Sequence, residues 1–204
     1  MQQNNYDRVA SLYDRLSRLV FQRSQVDAQV SLLQYIPAGS QLLIVGGGTG
    51  WILEHLPPQG LTVTYVEISA NMIALSRKRN LQQNTVVFIH LPVESFVPQH
   101  DYDVIITPFL FDNFAPERAQ PVFRQLHHLL RKDGMWLFTD FEKSRWWHKV
   151  LLKTMYTFFR LVAAVEAKSL YDMSACFQQA QYERVYQGAY YMGFIQAIAY
   201  RKTV

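Results

Sequence analysis

The sequence is poor in the residues that make covalent or metal staples. Cys176 is the single cysteine among 204 residues, so no internal disulfide can form. Six histidines are present, but His127 and His128 are adjacent and point apart on a helix, and the others have no metal-ligand spacing. No metal site is expected. Long apolar runs are also missing, and none reaches the ~20 residues that a bilayer-spanning helix needs. The opening stretch Met1-Gln2-Gln3-Asn4-Asn5-Tyr6-Asp7-Arg8 is polar and has no apolar signal core. A cytoplasmic chain without stable membrane insertion is the expectation. Internal repeats and low-complexity tracts do not occur. Charge of one sign is scarce too: 20 Lys and Arg against 16 Asp and Glu leave a formal charge of +4, scattered in twos and threes. A polyanion partner is allowed but not required, and nucleic acid is not expected. The length suits one domain with a sizeable core.

One further absence is diagnostic. Leu42-Leu43-Ile44-Val45 is an apolar run that enters Gly46-Gly47-Gly48-Thr49-Gly50, and a short helical pattern begins at Trp51. A strand that feeds a glycine turn and then a helix lets bare backbone approach a nucleotide-like ligand while helix N–H groups face it. Pyridine-nucleotide sites place a third glycine to give G-x-G-x-x-G. Here the third position is Trp51 from Gly46, or Leu53 from Gly48, so that spacing fails and an NAD-type oxidoreductase is disfavoured. The run is G-x-G-x-G, which resembles motif I of the class I S-adenosylmethionine-dependent methyltransferases. The resemblance implies S-adenosylmethionine as cofactor, with Gly46, Gly47, Gly48, Thr49 and Gly50 against it. It also requires the corner above the glycines to be open, not plugged by Trp51.

Other segments follow in the order that this resemblance implies. Apolar positions from Tyr6 to Val20, then through Val26, Val30 and Leu33, recur at helical steps and stop at Pro37-Ala38-Gly39. They make 1–38 a pair of cap helices. Tyr6-Asp7-x-x-Ala10-x-x-Tyr13-Asp14 loosely resembles the opening of the ubiquinone/menaquinone C-methyltransferases, which implies Tyr13 over the cofactor. Leu61–Glu67 alternates as a second strand. Its terminal acid, about twenty residues past the first glycine, is placed to receive the ribose hydroxyls. Ile68 follows Glu67, Ser69 can cap the next helix, and Met72 falls beside the expected adenine. Arg77-Lys78-Arg79 read as that helix's exposed, dipole-complementing end.

Beyond the third strand, Thr85–His90, the resemblance implies that Glu94 receives the adenine amino group and that the Val93 backbone receives a ring nitrogen. Asp101–Thr107 is an apolar strand buried on both faces. Its exit at Thr107 corresponds to motif IV, beside the transferable methyl. There Thr107-Pro108-Phe109-Leu110 departs from the Asn/Asp-Pro-Pro-aromatic pattern of enzymes that methylate exocyclic or amide nitrogens, which argues against DNA adenine and protein glutamine as substrates. A helix carrying Val122, Phe123, Leu126, Leu129 and Leu130 stops at Gly134, read as the left-handed residue. Met135–Phe141 is the fifth strand. Tyr182–Tyr186 and Tyr190–Tyr200 form a hairpin about Gln187-Gly188-Ala189.

The expected architecture is α/β: a Rossmann-like, seven-stranded, mostly parallel sheet with helices on both faces, an antiparallel C-terminal hairpin and N-terminal lid helices. One methyltransferase domain fills 1–204, with a cofactor-binding core over 41–141, a helical substrate-side segment over 144–180 and the hairpin over 181–202. Within 144–165, Lys149, Lys153, Tyr156 and Arg160 form a basic stripe on an otherwise apolar helix. That helix packs on the sheet, walls an acceptor pocket, or touches an anionic membrane surface, the pocket being preferred over the membrane.

The expected function is methyl transfer to a small, apolar or aromatic acceptor. Such a displacement needs alignment and exclusion of water more than a protein nucleophile. If the acceptor must lose a proton, Asp112, His148 and Asp140 are the candidate bases. Two alternatives stay open. Ile44 stands where the family usually has an acid that orders the glycine loop, which would fit a cofactor-binding relative with weak or no catalysis. Mild basicity leaves room for RNA or protein as the methyl acceptor.

Overall fold

The computed structural model describes residues 20–21, 23–98, 100–143, 145–148, 150–153 and 170–203. Tyr13, most of the first cap helix and the greater part of the 144–165 stretch lie outside the described residues.

Seven strands form one sheet in the order β3-β2-β1-β4-β5-β7-β6. They are β1 (Gln41–Val45), β2 (Thr62–Glu67), β3 (Thr85–His90), β4 (Tyr102–Pro108), β5 (Leu130–Phe141), β6 (Tyr182–Tyr190) and β7 (Ile195–Lys202). The first five pair in parallel, and β7 inserts antiparallel between β5 and β6. The chain starts at β1, runs outward through β2 and β3, and crosses back to β4. The switch point therefore lies between β1 and β4, where open α/β sheets bind ligands beyond the strand ends.

Both faces are covered, which is why β1 and β4 read as continuous apolar runs. One face presents Leu42, Ile44, Val63, Tyr65, Val104 and Leu137 to α1 (Ser24–Val30) and the segment after it. The other presents Leu43, Val45, Ile105, Trp136 and Phe138 to α3 (Pro116–Leu129) and α4 (Ser174–Gln179). The α3 stripe of Val122, Phe123 and Leu126 is buried, as its spacing predicts. A shorter helix, α2 (Ala70–Ser76), links β2 to β3 and is capped by Ser69, whose side chain accepts from the Met72 amide.

Three local expectations are corrected. β6 runs through Gln187, Gly188 and Ala189, and the chain reverses at Tyr191–Gly193, where the positive φ values fall on Tyr191, Met192 and Gly193 while Gly188 has none. Asp133, not Gly134, takes the left-handed conformation, at φ 61°. Gly134 is required instead by space, since a Cβ there would lie 2.9 Å from the Asp103 carbonyl oxygen. The short helical pattern expected from Trp51 is a five-residue 3-10 segment, Trp51–His55. Arg79 is not an exposed helix end; it folds back onto the glycine loop.

Candidate active site

The glycine loop leaves β1 at the switch point and turns through three left-handed residues, Gly46, Gly48 and Gly50, with φ of 70°, 63° and 74°. Side chains other than glycine rarely adopt that conformation. Each glycine then meets a different neighbour. A Cβ on Gly46 would reach Leu110 Cδ1 at 2.9 Å, one on Gly47 would strike the Tyr65 hydroxyl at 2.4 Å, and one on Gly50 would strike Ser76 Cβ at 2.3 Å. Among the described residues nothing lies within 4 Å of where a Cβ on Gly48 would stand. The loop is thus packed from below and behind, and open at its middle. Trp51 does not plug it; its ring stands edge-on to His55 with centroids 5.3 Å apart.

Three side chains hold the loop. Glu67, at the end of β2, accepts from the Gly48 amide through Oε2 at 3.1 Å and from the Ser69 amide through Oε1 at 2.9 Å. Tyr65, fully buried two residues earlier, donates its hydroxyl to the Gly48 carbonyl at 3.0 Å. Arg79 donates from Nε to the Thr49 carbonyl at 3.0 Å and pairs with Glu54 at 3.4 Å. Glu67 was legible as a strand-end acid. Tyr65 and Arg79 were not, because nothing in a β-strand tyrosine or a basic triplet names a partner 17 or 30 residues away.

Met72 is buried at the start of α2, and Ile68 lends its carbonyl to His90 Nε2 at 3.0 Å. Val93 and Glu94 share a 3-10 turn after β3. Gln125 from α3 fixes that turn by donating to the Val93 and Phe96 carbonyls at 2.9 and 3.0 Å. The exposed Glu94 carboxylate is engaged by Arg118, whose guanidinium also lies 4.6 Å over the Phe114 ring. Thr107 is turned inward, and its hydroxyl accepts from Trp136 Nε1 at 2.9 Å. Only its backbone lines the strand edge.

The candidate bases do not converge. Asp112, in the turn after β4, and Asp140, near the end of β5, meet in the layer that α3 and α4 cover. The Asp112 amide donates to Asp140 Oδ2 at 3.2 Å, the Phe141 amide donates to Asp140 Oδ1 at 2.8 Å, and Asn113 donates to Asp112 Oδ1 at 2.7 Å. Burial holds the Asp112 carboxyl well above the usual range, and the nearby Asp140 charge adds to the effect. Burial also pushes Asp140 up to about 7, against the opposing pull of the Phe141, Asp112 and Phe111 amides. Two buried carboxyls this close do not both ionise readily.

His148 belongs to the other layer. Its ring centroid is 4.1 Å from that of Trp147 and 5.2 Å from that of Phe194. Burial lowers its pKa and the Arg145 charge adds to this, outweighing Glu142 and the carbonyls of Glu142 and Met192. The imidazole is therefore neutral at neutral pH. The Arg145 amide points to Nδ1 at 3.4 Å, and Nε2 has no hydrogen-bond partner among the described residues.

An aromatic row crosses the same sheet edge. Phe109, just past β4, lies 4.9 Å from Phe141, which lies 5.0 Å from Phe194, and Phe21 packs 5.4 Å from Phe141. Phe109 is held at φ 50° while its amide donates to the Thr139 carbonyl at 2.8 Å. A bulky residue kept in that conformation is strained, and such strain concentrates at functional sites.

Comparison with known proteins gives a consistent result. A family model described as a methyltransferase domain matches residues 43–136. A Geobacillus sp. (strain WCH70) protein assigned to the methyltransferases is 30% identical over 138 residues, covering 65% of this chain and 56% of the relative. The chain thus spans little more than half of that relative's length. Among solved structures, 1,6-didemethyltoxoflavin-N1-methyltransferase of Burkholderia thailandensis, with its substrate and S-adenosylhomocysteine bound, superposes with a TM-score of 0.68 at 19% identity, covering 96% of this chain and 85% of that one. Magnesium protoporphyrin IX methyltransferase of Synechocystis PCC 6803, with S-adenosylhomocysteine, gives 0.67 at 14% identity and 97% coverage of each chain. At such identities the two superpositions establish the fold.

Proposed function

We propose that the chain is a class I S-adenosylmethionine-dependent methyltransferase, a reading supported by the methyltransferase-domain match over residues 43–136, the related Geobacillus protein and the shared fold, and that it transfers the methyl group of S-adenosylmethionine to a small, flat, apolar or aromatic acceptor. The aromatic row at the exit of β4 carries this reading. Phe109, half-buried at the exit of β4, packs with tilted rings on Phe141, which packs in turn on Phe194; the latter two are buried behind it, so Phe109 offers the ring on which a planar partner can stack. Two proteins of the same fold are named for toxoflavin and porphyrin substrates, both flat heterocycles.

The glycine loop fits the cofactor, because among the described residues its middle is open above Gly48 while its flanks are packed. When bound, S-adenosylmethionine supplies an electrophilic methyl on a sulfonium, whose charge disperses as the new bond forms. The residues of the chain then have separable tasks. The backbone of Gly46, Gly47, Gly48, Thr49 and Gly50 faces the amino-acid and sugar portions. Glu67 accepts from the ribose hydroxyls; a carboxylate can accept about four hydrogen bonds, so gripping a sugar is compatible with holding Gly48. Ile68, Met72, Val93 and Glu94 border the adenine, the Thr107 backbone lies nearest the methyl, and Tyr13 would close over the site from the cap segment. The candidate bases for acceptors that must lose a proton divide between the two layers: the Asp112–Asp140 pair is buried under α3 and α4, and His148 lies on the side of the aromatic row, 5.2 Å from Phe194.

The test is incubation of the purified chain with methyl-labelled S-adenosylmethionine and a lysate fractionated by size and polarity. Label in small, apolar fractions supports the proposal. Label confined to macromolecules would replace the small acceptor with RNA or protein. Tight binding of S-adenosylhomocysteine in calorimetry with no labelled product from any fraction would favour a binding protein without catalysis.

A further inference from the structure

The turn that follows β3 is held from one face of one helix. Arg118 and Gln125 stand seven residues apart on α3, about two helical turns, and so share a side. Gln125 takes the backbone of the turn, donating to the Val93 and Phe96 carbonyls at 2.9 and 3.0 Å. Arg118 takes its side chain: Nε donates to Glu94 Oε1, and the guanidinium lies 4.6 Å over the ring of the buried Phe114. Phe114, Arg118 and Glu94 thus make a chain of contacts that ends in a carboxylate fixed at one oxygen.

Two features separate this pair from an ordinary surface ion pair. Exposed pairs contribute little because two long side chains must be held in one geometry, whereas here the arginine and glutamate side chains are 21% and 34% exposed and the guanidinium is braced on a ring. Arg118 also stands in the first turn of α3, where the helix dipole disfavours a cation. A residue that breaks a local rule points to a task beyond its own helix.

A carboxylate can accept about four hydrogen bonds, so one held oxygen leaves the other to receive a donor. Adenine offers an amino donor at its 6-position; the deaminated purine offers a carbonyl there, which a carboxylate repels. Resting on the placement of Glu94 at the adenine, we propose that Arg118 is a positioning residue: it holds the Glu94 carboxylate toward the 6-amino edge and so sets the preference of the chain for adenosyl over 6-oxo (inosyl) cofactors. Arg118 acts on the acid and not on the base of the cofactor. Without it the exposed Glu94 side chain turns into solvent, and selection is lost while the glycine loop and Glu67 still bind the rest of the ligand.

Calorimetry with S-adenosylhomocysteine and with S-inosylhomocysteine, in which that amino group is a carbonyl, gives a ratio of affinities that a merely structural role does not move. The wild type should prefer the adenosyl ligand by at least about tenfold, since a fixed acceptor rejects a group that cannot donate. Glu94→Gln, whose amide presents either a donor or an acceptor, should bring the ratio close to one. Arg118→Met keeps an apolar stem beside Phe114 and should lower the ratio about as far. Arg118→Lys should restore part of it, because the charge remains without the planar fork. Both ligands weakened equally in Arg118→Met, with Glu94→Gln near one, would make Arg118 a brace for the turn and overturn its role while leaving Glu94 at the adenine. A wild type without preference, or a Glu94→Gln variant that keeps it, overturns that placement and the inference with it. If Arg118→Met does not fold, Arg118→Lys decides: a ratio at the wild-type value overturns the role, and one between wild type and Glu94→Gln supports it.

Discussion

Ile44 and Tyr65 lie opposite each other across the β1–β2 ladder, both fully buried on the same face of the sheet. Ile44 occupies the place where the methyltransferase resemblance implies an acid that orders the glycine loop. Tyr65 reaches past it to donate to the Gly48 carbonyl. Here a phenol on the adjoining strand holds the loop. Tyr65→Phe should therefore weaken S-adenosylhomocysteine binding about three- to tenfold in calorimetry, with a stability loss of about 1 kcal/mol, the usual net worth of one such hydrogen bond. Unchanged affinity would show that the phenol does not order the loop for its ligand.

Glu67 holds the loop by a second route, from the strand end. Glu67→Ala should raise the dissociation constant for S-adenosylhomocysteine by more than about tenfold, since a charged acceptor is worth about 1.5–3 kcal/mol. Glu67→Gln keeps an acceptor oxygen and should fall between the two. An alanine variant that binds as tightly as wild type would remove Glu67 from the ribose.

Gly47 is needed for space and not for backbone conformation. Its missing Cβ is replaced by the Tyr65 ring, whose hydroxyl and Cε2 would lie 2.4 and 2.5 Å from it. Gly47→Ala should lower the melting temperature, and adding Tyr65→Phe should not restore it, because the ring carbon still collides. Chemical denaturation of the two variants distinguishes this from a hydroxyl-only clash.

Asp140 should give the protein an uncommon pH profile. Its carboxyl is raised in the folded state to about 7, so between its unfolded value near 4 and that point the native state holds more proton than the unfolded chain. Stability from this group is present at low pH and is lost as the pH rises through that window. Asp140→Asn should flatten the decline of unfolding free energy over that interval in denaturant titrations.

At the opposite end of the strands, Lys202 donates to the carbonyls of His127 and Leu130 at 2.8 and 2.7 Å, closing the C-terminus of α3. Its burial lowers its pKa. Lys202→Met keeps the stem but leaves two carbonyls without this donor. A loss of about 1–3 kcal/mol is expected in urea unfolding, with no change in ligand affinity.

The outline of the sheet was legible because β1, β2, β3 and β4 carry uninterrupted or alternating apolar patterns and the glycine spacing is local. What the sequence hid was contact across distance. Arg79 reads as a solvated helix end until the fold brings it to Thr49. Thr107 reads as part of the rim, yet Trp136 from β5 draws its hydroxyl inward. The hairpin turn was misplaced because Gly188 looks like a turn residue, whereas the chain reverses through Tyr191 and Met192, two residues whose side chains disfavour the left-handed conformation they hold. Periodicity reports which face a residue takes, and cannot report which distant group will meet it there.

Tyr65, Glu67 and Arg79 come from a single short stretch of chain, from the middle of β2 to just beyond α2, and all three grip the glycine loop. The ligand cradle is therefore one unit made of two segments that fold against each other, with little help from the far half of the sheet. Its parts must drift together: a change at Gly47 has to be answered at Tyr65, and one at Thr49 at Arg79. By the same logic, moving only the glycine loop into another sheet would carry over its turn without its stiffness, whereas moving it together with β2 and α2 would carry over both.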